Sequence, residues 1–182
     1  MNFEEFIDFE LARERHVVHQ DPRDPGLQTA SGISRRWNPG WHGWALVDRG
    51  VVSGPEYDAA VRDFYRRLLK FYWNIMPPRL REAFCDALVN MGAGRKGDAV
   101  MGAVELLQHA MNRLAGSGYV VVDGVFGPQT RAALKTVDPS ALAYCLCAYR
   151  LVEYGLRARS GSEMRWALDG WINRVFLLME AL

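Results

Sequence analysis

The stretch Glu14-Arg-His-Val-Val-His-Gln-Asp21-Pro-Arg-Asp24-Pro-Gly-Leu-Gln-Thr29-Ala-Ser-Gly32-Ile33-Ser34 decides how the rest of the chain is read. On its N-terminal side, Phe3, Phe6, Ile7, Glu10, Leu11 and Glu14 recur at helical spacing, so one stripe of a helix ending near residue 15 carries all six. Glu14 therefore points the same way as Phe3 and Ile7, toward the core side. A negative charge near a helix C-terminus is mildly unfavourable, and apolar surroundings favour the protonated form of a carboxyl. Both observations point to a side chain kept as an acid. Two further carboxylates, Asp21 and Asp24, follow at once in Asp-Pro turns, with the Thr29 hydroxyl just beyond.

Working outward, turn residues dominate to residue 55: Trp37-Asn-Pro-Gly-Trp41-His-Gly-Trp44, Asp48-Arg-Gly and Ser53-Gly-Pro. Loops and a short hairpin are expected there, in a stretch too long for an idle connector. Trp37, Trp41 and Trp44 either stack on a ligand or plug the loop onto the body. From Pro55 onward the pattern is helical. Tyr57, Val61, Phe64, Tyr65, Leu68, Leu69 and Tyr72 mark one helix, and Pro77-Pro78 restarts the chain into a second. That second helix has Leu80, Phe84, Ala87, Leu88 and Met91 inward and stops at Gly92. Further helices are predicted over about 99–114, from Pro128, from Pro139 to about Arg159, and over about 164–182. Tyr119-Val-Val-Val122 alone reads as strand-like. The fold class is thus mainly α, with a small irregular or β subsite near the N-terminus. Gly92–Gly97 is the expected seam between a region 1–92 and a helical region 93–182, packed as one compact unit.

A chain of 182 residues with a formal net charge of +1 offers no electrostatic case for nucleic acid or a membrane surface. The acidic start Met-Asn-Phe-Glu-Glu lacks the layout of a signal peptide, and no apolar run is long enough to span a bilayer. Cys85, Cys145 and Cys147 fall in apolar helical patterns and read as buried free thiols, which suits a reducing compartment of synthesis. His16 and His19 stand near Asp21 and Asp24, but His-x-x-His in an irregular loop is weak evidence for metal. No metal or organic cofactor is implied.

One carboxylate on a helix end facing a polar, turn-rich segment suits the cutting of a glycosidic bond. An acid protonates the leaving oxygen, and a second polar group places water or stabilises charge on the sugar ring. Several segments together resemble glycoside hydrolase family 108, phage-type and bacterial muramidases with a lysozyme-like helical fold. Glu14 falls on the family's Glu of Glu-Gly-Gly, and Asp21-Pro-Arg-Asp24-Pro-Gly26 on its turn. Thr29 and Gly32-Ile33-Ser34 fall on the rest of the signature. Tyr72-Trp73, Phe84-Cys85-Asp86 and Asn90-Met91-Gly92 match later motifs. Leu107-Gln108, Asp123-Gly124-Val-Phe-Gly127-Pro128-Gln-Thr130 and Gly170-Trp171-x-Asn173-Arg174 resemble the companion predicted peptidoglycan-binding region. Arg15, His16 and Leu27 stand where the pattern has glycine, which reshapes the rim of the site.

The resemblance implies an endo-N-acetylmuramidase that hydrolyses the β-1,4 bond between N-acetylmuramic acid and N-acetylglucosamine. Glu14 is then the general acid, with Asp24 or Thr29 on the water side. Tyr72, Asn90, Gly32, Ile33 and His16 are the candidate substrate-binding residues. Asp86 and Asn90, one turn apart, can equally serve to satisfy buried groups. The expected partner is the peptidoglycan glycan strand, reached by a monomer through a holin or a secretion machine after cytoplasmic synthesis. A lytic transglycosylase and a non-catalytic wall-binding protein are the alternative readings of the same residues.

Overall fold

A computed structural model describes residues 1–14, 18–20, 28–94, 100–160 and 168–181. The elements run α1 (Phe3–Glu14), β1 (Val18–Gln20), β2 (Gln28–Ala30), β3 (Ile33–Ser34), α2 (Trp44–Val47), α3 (Pro55–Ile75), α4 (Pro78–Met91), α5 (Ala103–Ala115), α6 (Pro128–Ala133), α7 (Pro139–Ser160) and α8 (Leu168–Ala181). The architecture is mainly α and lysozyme-like, with one small antiparallel sheet near the N-terminus in the order β1-β2-β3. Contacts divide the chain into two units, Met1–Phe71 and Tyr72–Leu182.

In the first unit, α1 buries Phe6, Ile7 and Glu10. Complete burial of Phe6 and Ile7 stabilises the fold by about 1.5–3 kcal/mol per side chain. Ion pairs on the flank join α1 to α3: Arg66 meets Glu4 at 2.6 Å, and Arg62 meets Asp8. These pairs are exposed and each contributes little. Tyr57, Val61, Tyr65 and Leu69 form the buried stripe of α3, at the spacing read from the sequence. The tryptophan loop resolves into two roles. Trp41 and Trp44 are buried and meet edge to face, with Trp41 Nε1 donating to the Ala60 carbonyl at 3.2 Å and Trp44 Nε1 to the Asn38 carbonyl at 2.7 Å. Trp37 is exposed beneath the Arg36 guanidinium.

In the second unit, α4, α5, α7 and α8 pack together. Leu80, Phe84 and Ala87 of α4 are fully buried, as are Leu106, Leu107, Leu146 and Leu178 of the other helices. Pro78 opens α4 and Gly92 closes it, as expected. The helix expected from about 99 begins instead at Ala103. The physical cause is a close backbone approach: a Cβ on Gly102 would overlap the Gly94 backbone. Ala103 and Val104, whose N–H groups have no intrahelical partner, donate to the carbonyls of Gly92 and Ala93 at 2.9 and 3.1 Å.

Two further expectations are corrected. Tyr119–Val122 pairs with no strand among the described residues. The Asn112 carboxamide takes the place of a neighbouring strand, accepting from Val120 N at 2.8 Å and donating to its carbonyl at 2.9 Å. Among the free cysteines, Cys85 and Cys147 are buried but Cys145 is half-exposed. Two residues apart on a helix, Cys145 and Cys147 face different sides. Burial pushes the Cys147 thiol up to about 11.

Candidate active site

The site is built around the connection between β2 and β3. Ala30 pairs with Ile33, which leaves Ser31 and Gly32 as a two-residue hairpin turn. Both have positive φ, 46° and 76°, the requirement of a type I′ turn whose twist matches that of its strands. Glycine tolerates this region, but serine is held there against a steric cost. Two tyrosines of α3, eight residues apart, grip the turn. The Tyr65 hydroxyl donates to the Ser31 carbonyl at 2.8 Å, and Ser31 Oγ shares a hydrogen bond with the Tyr57 hydroxyl at 2.9 Å. Tyr57, Tyr65 and Ser31 are all buried. Burial pushes the Tyr57 hydroxyl above its ordinary range, and the Ser31 hydrogen bond opposes that.

Glu14, the last residue of α1, brings its carboxyl to this turn. A Cβ built on Gly32 would overlap Glu14 Oε2, lie 2.8 Å from Glu14 Cδ and lie 2.6 Å from the Tyr65 hydroxyl. The acid and the tyrosine thus share the space that glycine leaves open. Glu14 is half-buried, while Glu10, one turn earlier on α1, is fully buried. Gly32 itself is exposed, so the carboxyl stands where the turn meets solvent. The end of α1 and the hairpin turn thus bring this carboxyl beside Gly32.

The structure thus brings Glu14 and Gly32 together. Thr29 is close by in sequence and sheet: it pairs with Ser34 on β3 and with His19 on β1, and is 9% exposed. Ile33 is buried beneath the turn at 1% exposure. Asp24, His16, Asp21, Arg15 and Leu27 lie outside the described residues, and with them the expected partner carboxylates and the altered rim. No cluster of three or more candidate metal-ligating side chains occurs among the described residues. A depression of about 510 Å³ between α2 and α3, walled by His42, Arg49, Glu56 and Asp63 among others, includes none of the site residues.

Tyr72 and Asn90 belong to the second unit. Tyr72 packs against Phe84 and Phe126 with ring centroids 5.3 and 5.4 Å away, and burial raises its hydroxyl above the ordinary range. The Asn90 carboxamide oxygen accepts from the Tyr154 hydroxyl at 2.5 Å. That hydroxyl also accepts from Arg150 at 3.0 Å, and Arg150 pairs with Asp86 at 2.7 Å. Arg174 completes the group, its Nε donating to Asp86 Oδ1 at 2.8 Å. Burial works against the Asp86 charge, but the two guanidiniums overcome it and hold the carboxyl below its usual range.

Sequence reasoning placed Tyr57 and Tyr65 in the core and gave Ser31 no role. Two tyrosines on one buried helical stripe were the available signal, since a buried tyrosine hydroxyl needs a partner.

Residues 7–92 match the family described as Glycosyl hydrolase 108, and residues 102–176 match the one described as Predicted Peptidoglycan domain. The solved structure of SagA from Brucella abortus is similar over 98% of this chain and 92% of that one, with a TM-score of 0.69 and 24% identity. At that identity the likeness concerns the fold. No protein of curated function matches the chain in sequence.

Proposed function

We propose, from the premise that the chain belongs to the glycosyl hydrolase 108 family and is a peptidoglycan hydrolase acting at the cell wall, that it is an endo-N-acetylmuramidase. The bond cut is the β-1,4 link between N-acetylmuramic acid and N-acetylglucosamine, and Glu14 is the general acid. The observation that carries this reading is the Glu14 carboxyl beside Gly32, in a turn whose buried Ser31 is hydrogen-bonded by two tyrosines. Glu14 gives its proton to the bridging oxygen as the bond from that oxygen to the anomeric carbon breaks. Water adds to the anomeric carbon and loses a proton, on the side assigned to Asp24 or Thr29. Residues 1–92 carry the chemistry in this reading, and residues 93–182 hold the glycan strand. Gly32 and His16 are the further proposed contacts to sugar on this side, while buried Ile33 shapes the backbone beneath Gly32.

Glu14→Gln tests the reading. It keeps the shape of the side chain, so the melting temperature should stay within a degree or two. Release of reducing ends from purified peptidoglycan should fall by a factor of about 10²–10⁴, the usual worth of a general acid. Full lytic activity in that variant ends the assignment. Mass spectrometry of the released muropeptides checks the reaction type. Hydrolysis leaves a reducing muramic acid, whereas products lighter by one water would make the enzyme a lytic transglycosylase.

A further inference from the structure

We propose that Trp37 is a sugar-stacking subsite for the glycan strand, set apart from Glu14 within the region that carries the chemistry. The inference rests on the reading of the chain as a peptidoglycan hydrolase. Trp37 is 66% exposed, more than any other large hydrophobic side chain among the described residues. Its loop neighbours Trp41 and Trp44 are absorbed by the core, each with its indole N–H donating to a backbone carbonyl. Trp37 is used by neither the core nor a hydrogen bond. Among the described residues its ring meets only the Arg36 guanidinium, 5.0 Å from the centroid, and its N–H donates to no group.

The loop that exposes this ring is fastened on both sides of it. Arg35 N donates to the Gln28 carbonyl at 2.9 Å, and Asn38 N to the Ser34 carbonyl at 2.9 Å. The Asn38 carbonyl accepts from Trp41 N at 3.1 Å and from Trp44 Nε1 at 2.7 Å. A ring held out on a tied backbone needs little ordering when a ligand arrives, so more of the contact energy goes into binding. In a β-1,4-linked N-acetylated glycan the ring substituents are equatorial. Each pyranose therefore shows flat faces of C–H bonds that pack on an aromatic face, while its hydroxyl and acetamido oxygens accept from an indole N–H. A protein partner or a lipid surface calls instead for a contiguous apolar patch. From Arg35 to His42, Pro39 is the only other exposed apolar side chain, so the loop offers one ring and no patch. Trp37 follows Gly32 by five residues, which keeps it within about 18 Å of the turn beside Glu14. A few consecutive sugar rings span that separation.

The test is kinetics on glycan strands stripped of peptide by an amidase, with Trp37→Ala and Trp37→Phe. In Trp37→Ala kcat/KM should fall about 10-fold, the worth of one aromatic contact, and the loss should be carried by KM. Trp37→Phe keeps a ring and should stay within about threefold of wild type. Melting temperatures of both should match wild type, because most of the side chain lies outside the core. An unchanged KM in Trp37→Ala, a loss carried by kcat, or equal losses in the two variants overturns the proposal. A wild type that releases no reducing ends breaks the reading of the enzyme and leaves this one testable. Co-sedimentation with purified sacculi then reads the same ring: Trp37→Ala should be retained about 10-fold more weakly, and retention equal to wild type overturns the subsite.

Discussion

The two units each bury a polar cluster, and the clusters differ in kind. In the second unit a buried carboxylate, Asp86, is met by two guanidiniums, from Arg150 and Arg174. Its partners come from 64 and 88 residues away, so the cluster ties distant helices together. In the first unit, hydroxyls grip a strained two-residue turn, and the carboxyl above it is half-buried. Compensated charge fixes a core. Hydroxyl hydrogen bonds fix a strained turn.

The largest expected effect separates the two clusters. Asp86→Ala strands a fully buried arginine, and such a loss costs about 3–5 kcal/mol. Denaturant titration should show it, and an unchanged unfolding midpoint would make the Asp86 cluster as dispensable as a surface pair. Gly32→Ala comes next. Positive φ costs a side-chain-bearing residue about 1–2 kcal/mol, and the new Cβ would displace Glu14 and Tyr65 from the space they share. Its activity should fall far more than its stability, which is the opposite of Asp86→Ala. Equal losses in both variants would erase the distinction.

Acid provides a smaller, reversible form of the same test. Asp86 is held below its ordinary range, and a carboxyl depressed in the folded state stabilises above its unfolded pKa of about 3.9. That stabilisation disappears as the pH falls through the lower folded value. Melting temperatures of the wild type should therefore drop below about pH 4, and those of Asp86→Asn should drop less steeply. The smallest effect is on the thiols. Cys147, buried and pushed to about 11, should resist a disulfide reagent at neutral pH until the protein unfolds, with half-exposed Cys145 reacting first.

Helix positions were legible because local chemistry sets them. Prolines at 55, 78, 128 and 139 begin α3, α4, α6 and α7, each tolerated where no N–H is needed. Glu14 stands out in the sequence as the proposed acid because a negative charge near a helix C-terminus is mildly unfavourable. The grip on the turn beside it was not legible. Tyr57 and Tyr65 fit an apolar stripe as well as a polar contact, and only the arrival of Ser31, 26 and 34 residues away, distinguishes the two. Asp86 and Asn90 were recognised as a polar pair on one face, but their partners Arg150, Arg174 and Tyr154 lie too far along the chain for spacing to reveal. Val120 failed as a strand for the same reason: a side chain, Asn112, supplies the hydrogen bonds that periodicity assigns to a neighbouring backbone.

The motifs shared with the family show the division clearly. Gln108 donates to Asp123 and Thr130 and accepts from the N–H groups of Asp123 and Gly124, so separate short motifs prove to be one buried knot. The sequence by itself determined the helical class and the helix starts that proline marks. Those depend on propensity, periodicity and charge placement within a few residues. Which hydroxyls grip Ser31, and which arginines neutralise Asp86, was decided only by tertiary structure, because a hydrogen bond depends on distance in space and not along the chain.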